Sequence, residues 1–146
     1  MVDVVTETEI ARPRLDVAAY TIDPDNATAW YENIKSVEWE TTPPLAVGSR
    51  VAFVAEFLGR RLAYTYEIRE LVPGSRLVMS TAQGPFPMET TYEFFDAGPA
   101  ATRMVLRNRG EPAGFKALAA PLMARAMRRA NTADLRRLKA LLESPG

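Results

Sequence analysis

Tyrosine supplies the side chains of this sequence that are best placed to do chemistry. Tyr64 and Tyr66 lie two residues apart in one alternating stretch, and Tyr92 lies in another. Residues two apart share a face of a β-strand, so we expect these phenols to point into the fold. A phenol in an apolar interior needs a hydrogen-bonding partner, either from the protein or from a ligand. With an ordinary pKa of about 10, tyrosine is a poor base at neutral pH unless its surroundings change that value.

Two asparagines are the other polar side chains expected inside. Asn108 falls on the apolar face of the last strand, and Asn131 falls on the apolar face of a long helix. A buried amide has to pair both donors and acceptors, so unused capacity could fix the orientation of a ligand. Asn131 could equally bond the backbone of a strand. Thr81 and Thr90 could add hydroxyl groups, although threonine is common in strands in any case.

The composition excludes several kinds of site. The sequence contains no cysteine and no histidine, which removes disulfides, thiolate nucleophiles and the commonest metal ligand and general base. It also has no carboxylate pair at catalytic spacing, no phosphate-binding glycine loop and no nucleophile elbow. We therefore predict neither a metal nor a cofactor, and no motif supports catalysis. Glu89 and Arg107 would reach the interior only if the strand register slipped by one residue.

Alternating apolar and polar residues predict about seven strands. The first strand runs to Ile10, and two short helices follow it, separated by a break at residues 23–26. Six more strands follow with short connections, marked by turn residues such as Pro73-Gly74. Short connections between consecutive strands give an antiparallel sheet, with one face against helices and the other in water. We therefore predict an α+β fold in one domain, residues 1–146.

A long helix is predicted from Phe115 to Glu143, after the last strand. About 29 residues at ~1.5 Å each would span roughly 43 Å, so the helix needs a broad surface to lie against. Its C-terminal half places Leu135, Leu138 and Leu142 on one side, where they would anchor the helix to the sheet.

The N-terminal half of this helix has a different composition. Small and flexible side chains face inward there, namely Met123, Ala126, Met127, Ala130 and Asn131. Over a curved sheet such side chains leave room, since methionine adapts to irregular shapes. The alternative is an ordinary core, because alanine and methionine are good helix formers. A second apolar edge is predicted along Leu118, Leu122, Ala126 and Ala130.

Charge and hydropathy say little about partners. The formal net charge is zero, and no apolar run approaches the ~20 residues that cross a membrane. The N-terminus lacks the basic and apolar regions of a signal peptide, so we expect a cytoplasmic protein. Basic residues dominate the outer face of the long helix: Lys116, Arg125, Arg128, Arg129, Arg136, Arg137 and Lys139. They could form an interaction patch, but a solvated face balanced by acidic strand neighbours is the simpler interpretation, so we predict no nucleic-acid partner.

Four stretches of the sequence, taken with the order of the elements, resemble a known family. They are Ile10-Ala11-Arg12-Pro13 with Val17, Tyr20, Asp23-Pro24-Asp25-Asn26 and Trp30; Leu45-Ala46-Val47-Gly48-Ser49-Arg50-Val51; Tyr66-Glu67-Ile68 with Val72-Pro73-Gly74-Ser75-Arg76-Leu77; and Asp134-Leu135-Arg136-Arg137-Leu138-Lys139. Across essentially the whole chain the sequence resembles the START-related polyketide cyclase/dehydrase superfamily, whose members include plant pollen-allergen proteins and lipid carriers. Because that family shares an architecture and not a catalytic motif, the resemblance is specific for fold and weak for activity.

The resemblance implies a helix-grip fold, in which a curved antiparallel sheet wraps around a long C-terminal helix, with two short helices after the first strand. It also implies a deep, largely apolar pocket between sheet and helix. The residues predicted to line this pocket are Trp39, Phe53, Phe57, Tyr64, Tyr66, Met79, Thr81, Phe86, Met88, Thr90, Tyr92, Met104, Leu106, Asn108, Phe115, Met123, Met127 and Asn131.

We therefore expect the protein to bind a small apolar or aromatic molecule, as a monomer or homodimer. Two alternatives stay open: a cyclase or dehydratase acting on a polyketide-like substrate in the same cavity, and an interaction module that uses the arginine-rich helix. Two loops, 83–88 and 110–115, are expected to control access to the cavity through Phe86 and Phe115, unless these rings simply plug the edge of the core.

Overall fold

The structure is a computed structural model that describes residues 1–57, 59–83 and 86–144. In chain order the elements are β1 (Val2–Ile10), α1 (Arg14–Ile22), a 3₁₀ turn (Pro24–Asn26), α2 (Ala27–Trp30), β2 (Ile34–Trp39), β3 (Arg50–Phe57), β4 (Arg60–Val72), β5 (Arg76–Thr81), β6 (Met88–Gly98), β7 (Ala101–Gly110), α3 (Phe115–Leu118) and α4 (Ala120–Glu143). The strands of these ranges form one antiparallel seven-stranded sheet in the order β1-β7-β6-β5-β4-β3-β2. The α+β, helix-grip arrangement expected from the sequence is confirmed. No helix in these ranges combines the length and the apolar character needed to cross a membrane.

Alternation along the strands divides the sheet into a buried face and a solvated face. In β1, Val4 is fully buried while Asp3 points to solvent. On the solvated face Arg107 pairs with Asp3 at 2.6 Å, and Arg109 pairs with Glu89 at 3.0 Å. Glu89 and Arg107 therefore lie on the outer face, in the register that the sequence predicts, and they do not reach the interior.

The C-terminal half of α4 anchors the helix to the sheet. Leu135, Leu138 and Leu142 are 1%, 0% and 9% exposed, as their spacing predicts. They belong to the main core cluster together with Trp30, whose side chain is fully buried. Burying a leucine side chain contributes about 1.5–3 kcal/mol, so this stripe is a large part of what holds α4 in place.

The predicted helix 115–143 is in fact two helices. α3 ends at Leu118, and α4 begins after Ala119 with Pro121 in its first turn. Proline lacks an N–H and its ring clashes with a preceding turn, so a helix tolerates it only near its start. The predicted second apolar edge is wrong at this end, because Leu118 and Leu122 point outward and are 82% and 66% exposed.

Candidate functional site

A cavity of about 150 Å³ lies between the helix-covered face of the sheet and the N-terminal half of α4. Side chains of β3 to β6 form its floor, and α4 forms its roof through Met123, Met127 and Ala130. Residues from the end of α1 through the 3₁₀ turn close one side. An apolar cavity of that size holds a molecule about as large as benzene.

Most of the side chains predicted to line this cavity do surround it. They are Phe53, Tyr64, Tyr66, Met79, Thr81, Phe86, Met88, Thr90, Tyr92, Asn108, Met123, Met127 and Asn131. Alternate residues of each strand place their side chains on one face of the sheet, which brings residues from five strands to the same space. Contact between these side chains and a ligand stays a prediction.

Three of the predicted residues lie elsewhere, which corrects the placement expected from the sequence. Met104 and Leu106 of β7 are fully buried. They belong to the main core cluster with the leucines of α4 and do not line the cavity. Trp39, at the end of β2, donates from Nε1 to Asp25 Oδ1 at 2.8 Å and does not line the cavity.

Two further predicted residues cannot be placed as lining residues. Phe57 closes β3 and Phe115 opens α3, so their backbones belong to regular elements. Their side chains lie outside the described part of the structure. The contribution of both rings to the cavity therefore stays a prediction.

Three of the cavity tyrosines have their hydroxyl groups in hydrogen-bonded pairs. The hydroxyls of Tyr31 and Tyr92 are 2.7 Å apart, and those of Tyr66 and Thr90 are 3.0 Å apart. Burial raises the pKa of Tyr31, Tyr66 and Tyr92 above the ordinary value for a phenol. These groups are therefore neutral at physiological pH and act as hydrogen-bonding groups, not as bases. Because one hydroxyl of each pair donates to the other, each pair leaves one O–H for a third partner.

Phe53, Tyr64 and Tyr66 form an aromatic wall on β3 and β4. The ring centroid of Tyr66 lies 5.5 Å from that of Tyr64 and 5.9 Å from that of Phe53, both in edge-on arrangements. Such geometry is favourable for aromatic pairs because the positive edge of one ring meets the negative face of another. The wall gives the cavity a rigid surface suited to a flat apolar ligand.

Sequence reasoning missed Asp134, a buried carboxyl group in the cavity wall. Its side chain is 3% exposed. Its Oδ1 atom accepts hydrogen bonds from the backbone N–H of Glu32 at 3.1 Å and from Arg137 Nη1 at 3.3 Å. Burial outweighs these contacts and raises the pKa of Asp134 to about 6. A signal was available, because position 134 is three residues after Asn131 and four before Leu138, and therefore on the same helical face.

Tyr31 was missed for a different reason. It lies in the connection between α2 and β2, where neither strand nor helix periodicity indicates which way a side chain points. In the structure its ring stacks on Trp30 with 3.9 Å between the ring centroids, and it lines the cavity. Only the packing of the connection against the core reveals this residue.

Two buried amide groups have atoms without a partner among the described residues. Asn108 Oδ1 and Asn131 Nδ2 make no hydrogen bond there. The two side chains belong to residues that are 8% and 6% exposed, and both line the cavity. Burying such an atom unpaired costs about 1–3 kcal/mol, so native proteins rarely do it. Asn108 and Asn131 therefore offer hydrogen-bonding capacity to whatever fills the cavity.

The ionised groups around the cavity are acidic. Asp23 and Asp134 line it, whereas no lysine or arginine does so within the described ranges. The same ranges contain no cluster of three or more acidic, histidine or cysteine side chains that could hold a metal ion. The chemistry of the lining is thus that of hydroxyl, amide and carboxyl groups.

Phe86 closes one end of the cavity. The residue is 5% exposed and clusters with Ala120 at the start of α4. A Cβ atom added to Gly110 would lie 2.6 Å from Phe86 Cε2 and 2.5 Å from the carbonyl oxygen of Pro87. The ring can approach the end of β7 this closely because position 110 is glycine. Movement of Phe86 as a gate stays a prediction, and Gly84 and Pro85 of the same loop lie outside the described residues.

Comparison with known sequences identifies one family. A family model described as "Polyketide cyclase / dehydrase and lipid transport" matches residues 1–143. Among curated protein sequences, none matches the chain.

Several solved structures are similar to this one over nearly their whole length. The protein TTHA0849 from Thermus thermophilus has a TM-score of 0.82 at 22% identity, with 96% of each chain covered. A START superfamily protein from Mycobacterium smegmatis has a TM-score of 0.81 at 14% identity, with 97% of each chain covered. The ZhuI aromatase/cyclase from Streptomyces sp. R1128 has a TM-score of 0.78 at 18% identity, with 97% of this chain and 93% of that chain covered. Identities this low establish the shared fold alone.

Proposed function

The chain belongs to the polyketide cyclase/dehydrase and lipid transport family, and we propose that it binds a small lipophilic or aromatic molecule in the cavity between the sheet and α4. One observation carries this proposal: an apolar cavity that also contains buried polar atoms without partners among the described residues. At about 24 cal/mol per Å³, an unfilled cavity of about 150 Å³ costs the folded state roughly 3–4 kcal/mol. A ligand that fills the space offsets that cost.

The methionines around the cavity widen the range of ligands it can take. Met79, Met88, Met123 and Met127 all line it. Methionine is unbranched and has several rotatable bonds, so its side chain moves aside at little cost. A single aromatic ring fits the space as it stands, and a larger ligand fits once these side chains and Phe86 are displaced.

A cavity-filling substitution tests the proposal. Ala130 of α4 lines the cavity, whereas Ala140 of the same helix is exposed to solvent. We expect Ala130→Phe to weaken binding of the neutral fluorescent probe N-phenyl-1-naphthylamine by tenfold or more, because the new ring occupies its space. Ala140→Phe is the matched control and should leave affinity unchanged. Equal affinity in both variants would place the probe outside the cavity and remove the proposal.

A second candidate function is a cyclase or dehydratase reaction in the same cavity. Asp134 favours it, because a carboxyl group with a pKa of about 6 can exchange a proton near neutral pH. The similarity to an aromatase/cyclase adds support. Under this candidate, Asp134→Asn abolishes turnover of an aromatic polyketide while probe binding persists. Unchanged turnover, or no turnover by the unaltered protein, leaves only the binding function.

The interaction module has less support. Arg137 and Lys139, two of its basic residues, are engaged within the chain, Arg137 with the carbonyl oxygen of Trp30 at 2.9 Å and Lys139 with Glu143 at 2.7 Å. The cytoplasmic location, the monomeric or homodimeric state and the lack of a nucleic-acid partner stay predictions. Analytical ultracentrifugation and an oligonucleotide-binding assay test the last two.

A further inference from the structure

The charge of the cavity wall restricts what can bind. The ionised side chains that line it are the carboxylates Asp23 and Asp134, with no lysine or arginine beside them in the described ranges. The guanidinium of Arg137, which contacts Asp134, donates to Trp30 O at 2.9 Å and to Asp134 Oδ1 at 3.3 Å. A bound carboxylate or phosphate would thus be buried without a cation and beside like charge, which is strongly unfavourable. The cavity is therefore unsuited to fatty acids and other anions.

Asp134 and Asn131 together form a small polar corner on the roof. The hydrogen bonds that Asp134 accepts from Glu32 and Arg137 both fall on Oδ1. Asn131, three residues earlier on the same helical face, presents Nδ2 without a partner among the described residues. An acceptor and a donor thus occupy positions one helical turn apart on the same face of α4, and both residues line the apolar cavity. A hydroxyl group both donates and accepts, so one hydroxyl can pair with both.

We propose that the cavity selects uncharged aromatic ligands bearing a hydroxyl group, which donates to the carboxyl group of Asp134 and accepts from the amide of Asn131. This inference rests on the proposed binding function and names the ligand class for it. The aromatic wall holds the ring, and the polar corner distinguishes a phenol from a plain hydrocarbon of the same shape.

The selectivity should depend on pH through Asp134. Burial raises its pKa to about 6, while the Glu32 N–H and the Arg137 guanidinium lower it and the Glu32 carboxylate raises it. Tyr31 and Tyr92, which also face this carboxyl group, stay neutral. Above the pKa of Asp134 the acceptor is a carboxylate, and hydrogen bonds to charged groups are stronger than those to neutral ones. A phenol keeps its own proton up to a pH of about 10.

Three ligands that share a tolyl group test the proposal on the full chain: toluene, p-cresol and 4-methylbenzoate, titrated calorimetrically at pH 5 and pH 8. We expect p-cresol to bind about tenfold more tightly than toluene at pH 8, equal to about 1.4 kcal/mol. The advantage should shrink several-fold at pH 5, and 4-methylbenzoate should not bind at pH 8. These measurements use the unaltered protein, so they do not depend on whether a variant folds.

Variants then assign the effect. In Asp134→Asn the ratio of the affinities for p-cresol and toluene should be the same at pH 5 and pH 8, and equal to the ratio that the unaltered protein shows at pH 5. Asn131→Leu should lower this ratio without weakening the binding of toluene. Asp16→Asn removes an exposed carboxylate of α1 and is the control, with no change expected. Equal affinity for cresol and toluene, or binding of 4-methylbenzoate at pH 8, would overturn the inference and leave the proposed function standing. Failure of all three ligands to bind would also overturn the inference, and the proposed function falls with it only if N-phenyl-1-naphthylamine fails to bind as well.

Discussion

The two halves of α4 meet the same sheet in different ways. The C-terminal half presents Leu135, Leu138 and Leu142, which are almost wholly buried. The N-terminal half presents Met123 and Met127, which are only partly buried and face a cavity. One helix thus provides both anchorage and space, and the difference lies in side-chain size and stiffness. Anchorage by one half lets the other leave a void without detaching the helix.

The largest expected effect is on the anchoring half. Leu138→Ala removes a fully buried side chain from the core, and we expect the free energy of unfolding to fall by about 2–5 kcal/mol in urea denaturation. Leu141→Ala is the matched control, because that side chain belongs to a residue that is 42% exposed, and its effect should stay within about 0.5 kcal/mol. A midpoint that does not move in Leu138→Ala would contradict the anchoring role.

Next in size is the effect of crowding the end of the cavity that Phe86 closes. Gly110→Ala places a methyl group against the ring of Phe86, and we expect a loss of about 1–3 kcal/mol from overpacking. The double variant Gly110→Ala/Phe86→Ala should then lose less stability than the sum of the single changes, since the clash with the ring is gone and only the clash with the carbonyl oxygen of Pro87 remains. If Phe86 is a gate, Gly110→Ala also accelerates the exchange of bound N-phenyl-1-naphthylamine in stopped-flow measurements. If Phe86 only plugs the edge of the core, the exchange rate does not change.

Asp134 lies where the two halves of α4 meet and gives a smaller, pH-dependent effect. Burial raises its pKa from 3.8 to about 6, so the folded protein binds a proton more tightly than the unfolded chain does. The stability due to that proton is complete below about pH 3.8 and is lost as the pH rises through about 6. We expect a loss of about 1–2 kcal/mol between pH 5 and pH 8 that Asp134→Asn does not show. Urea denaturation at both pH values measures this loss, with Asp16→Asn as the control. An equal loss in the unaltered protein and in Asp134→Asn would contradict the prediction.

The smallest effect is expected at the floor of the cavity, opposite α4. Tyr66→Phe removes the hydroxyl that bonds Thr90 at 3.0 Å, and ligand binding should weaken by about 0.5–1.5 kcal/mol if that group also contacts the ligand. Tyr20→Phe is the control, because Tyr20 does not line the cavity. If the cyclase candidate is right, one of the changes Tyr64→Phe, Tyr66→Phe and Tyr92→Phe abolishes turnover of an aromatic polyketide and leaves binding intact. An unchanged affinity in Tyr66→Phe would show that its hydroxyl serves the sheet alone.

The sequence predicts the regular parts of this molecule well, because period-two and helical patterns fix which side chains are buried. Tyr64, Tyr66, Thr90 and Asn108 follow directly from strand alternation, and the leucines follow from helical spacing. Such patterns do not show how closely two elements approach each other. Met104 follows the same alternation as Asn108 of its strand, yet it lies in the closed core and does not line the cavity.

Two cavity residues, Asp134 and Tyr31, were not predicted from the sequence for another reason. Asp134 sits among basic residues in a segment that is typical of a solvated helix, and its burial depends on the contact with the Glu32 backbone, which is distant in sequence. Tyr31 lies in a connection without periodicity. Both residues are placed by tertiary packing, which the charge pattern and the local sequence do not reveal.

The stack of Trp30 on Tyr31 also gives the molecule a natural fluorophore at its cavity. The chain has two tryptophans, of which Trp30 is fully buried while Trp39 is partly open to solvent at the end of β2. Aqueous iodide therefore quenches Trp39 preferentially, and the emission that remains comes from Trp30. Since Tyr31 separates Trp30 from the cavity by one ring with a centroid distance of 3.9 Å, occupancy should change that emission, and binding can be followed optically without a label.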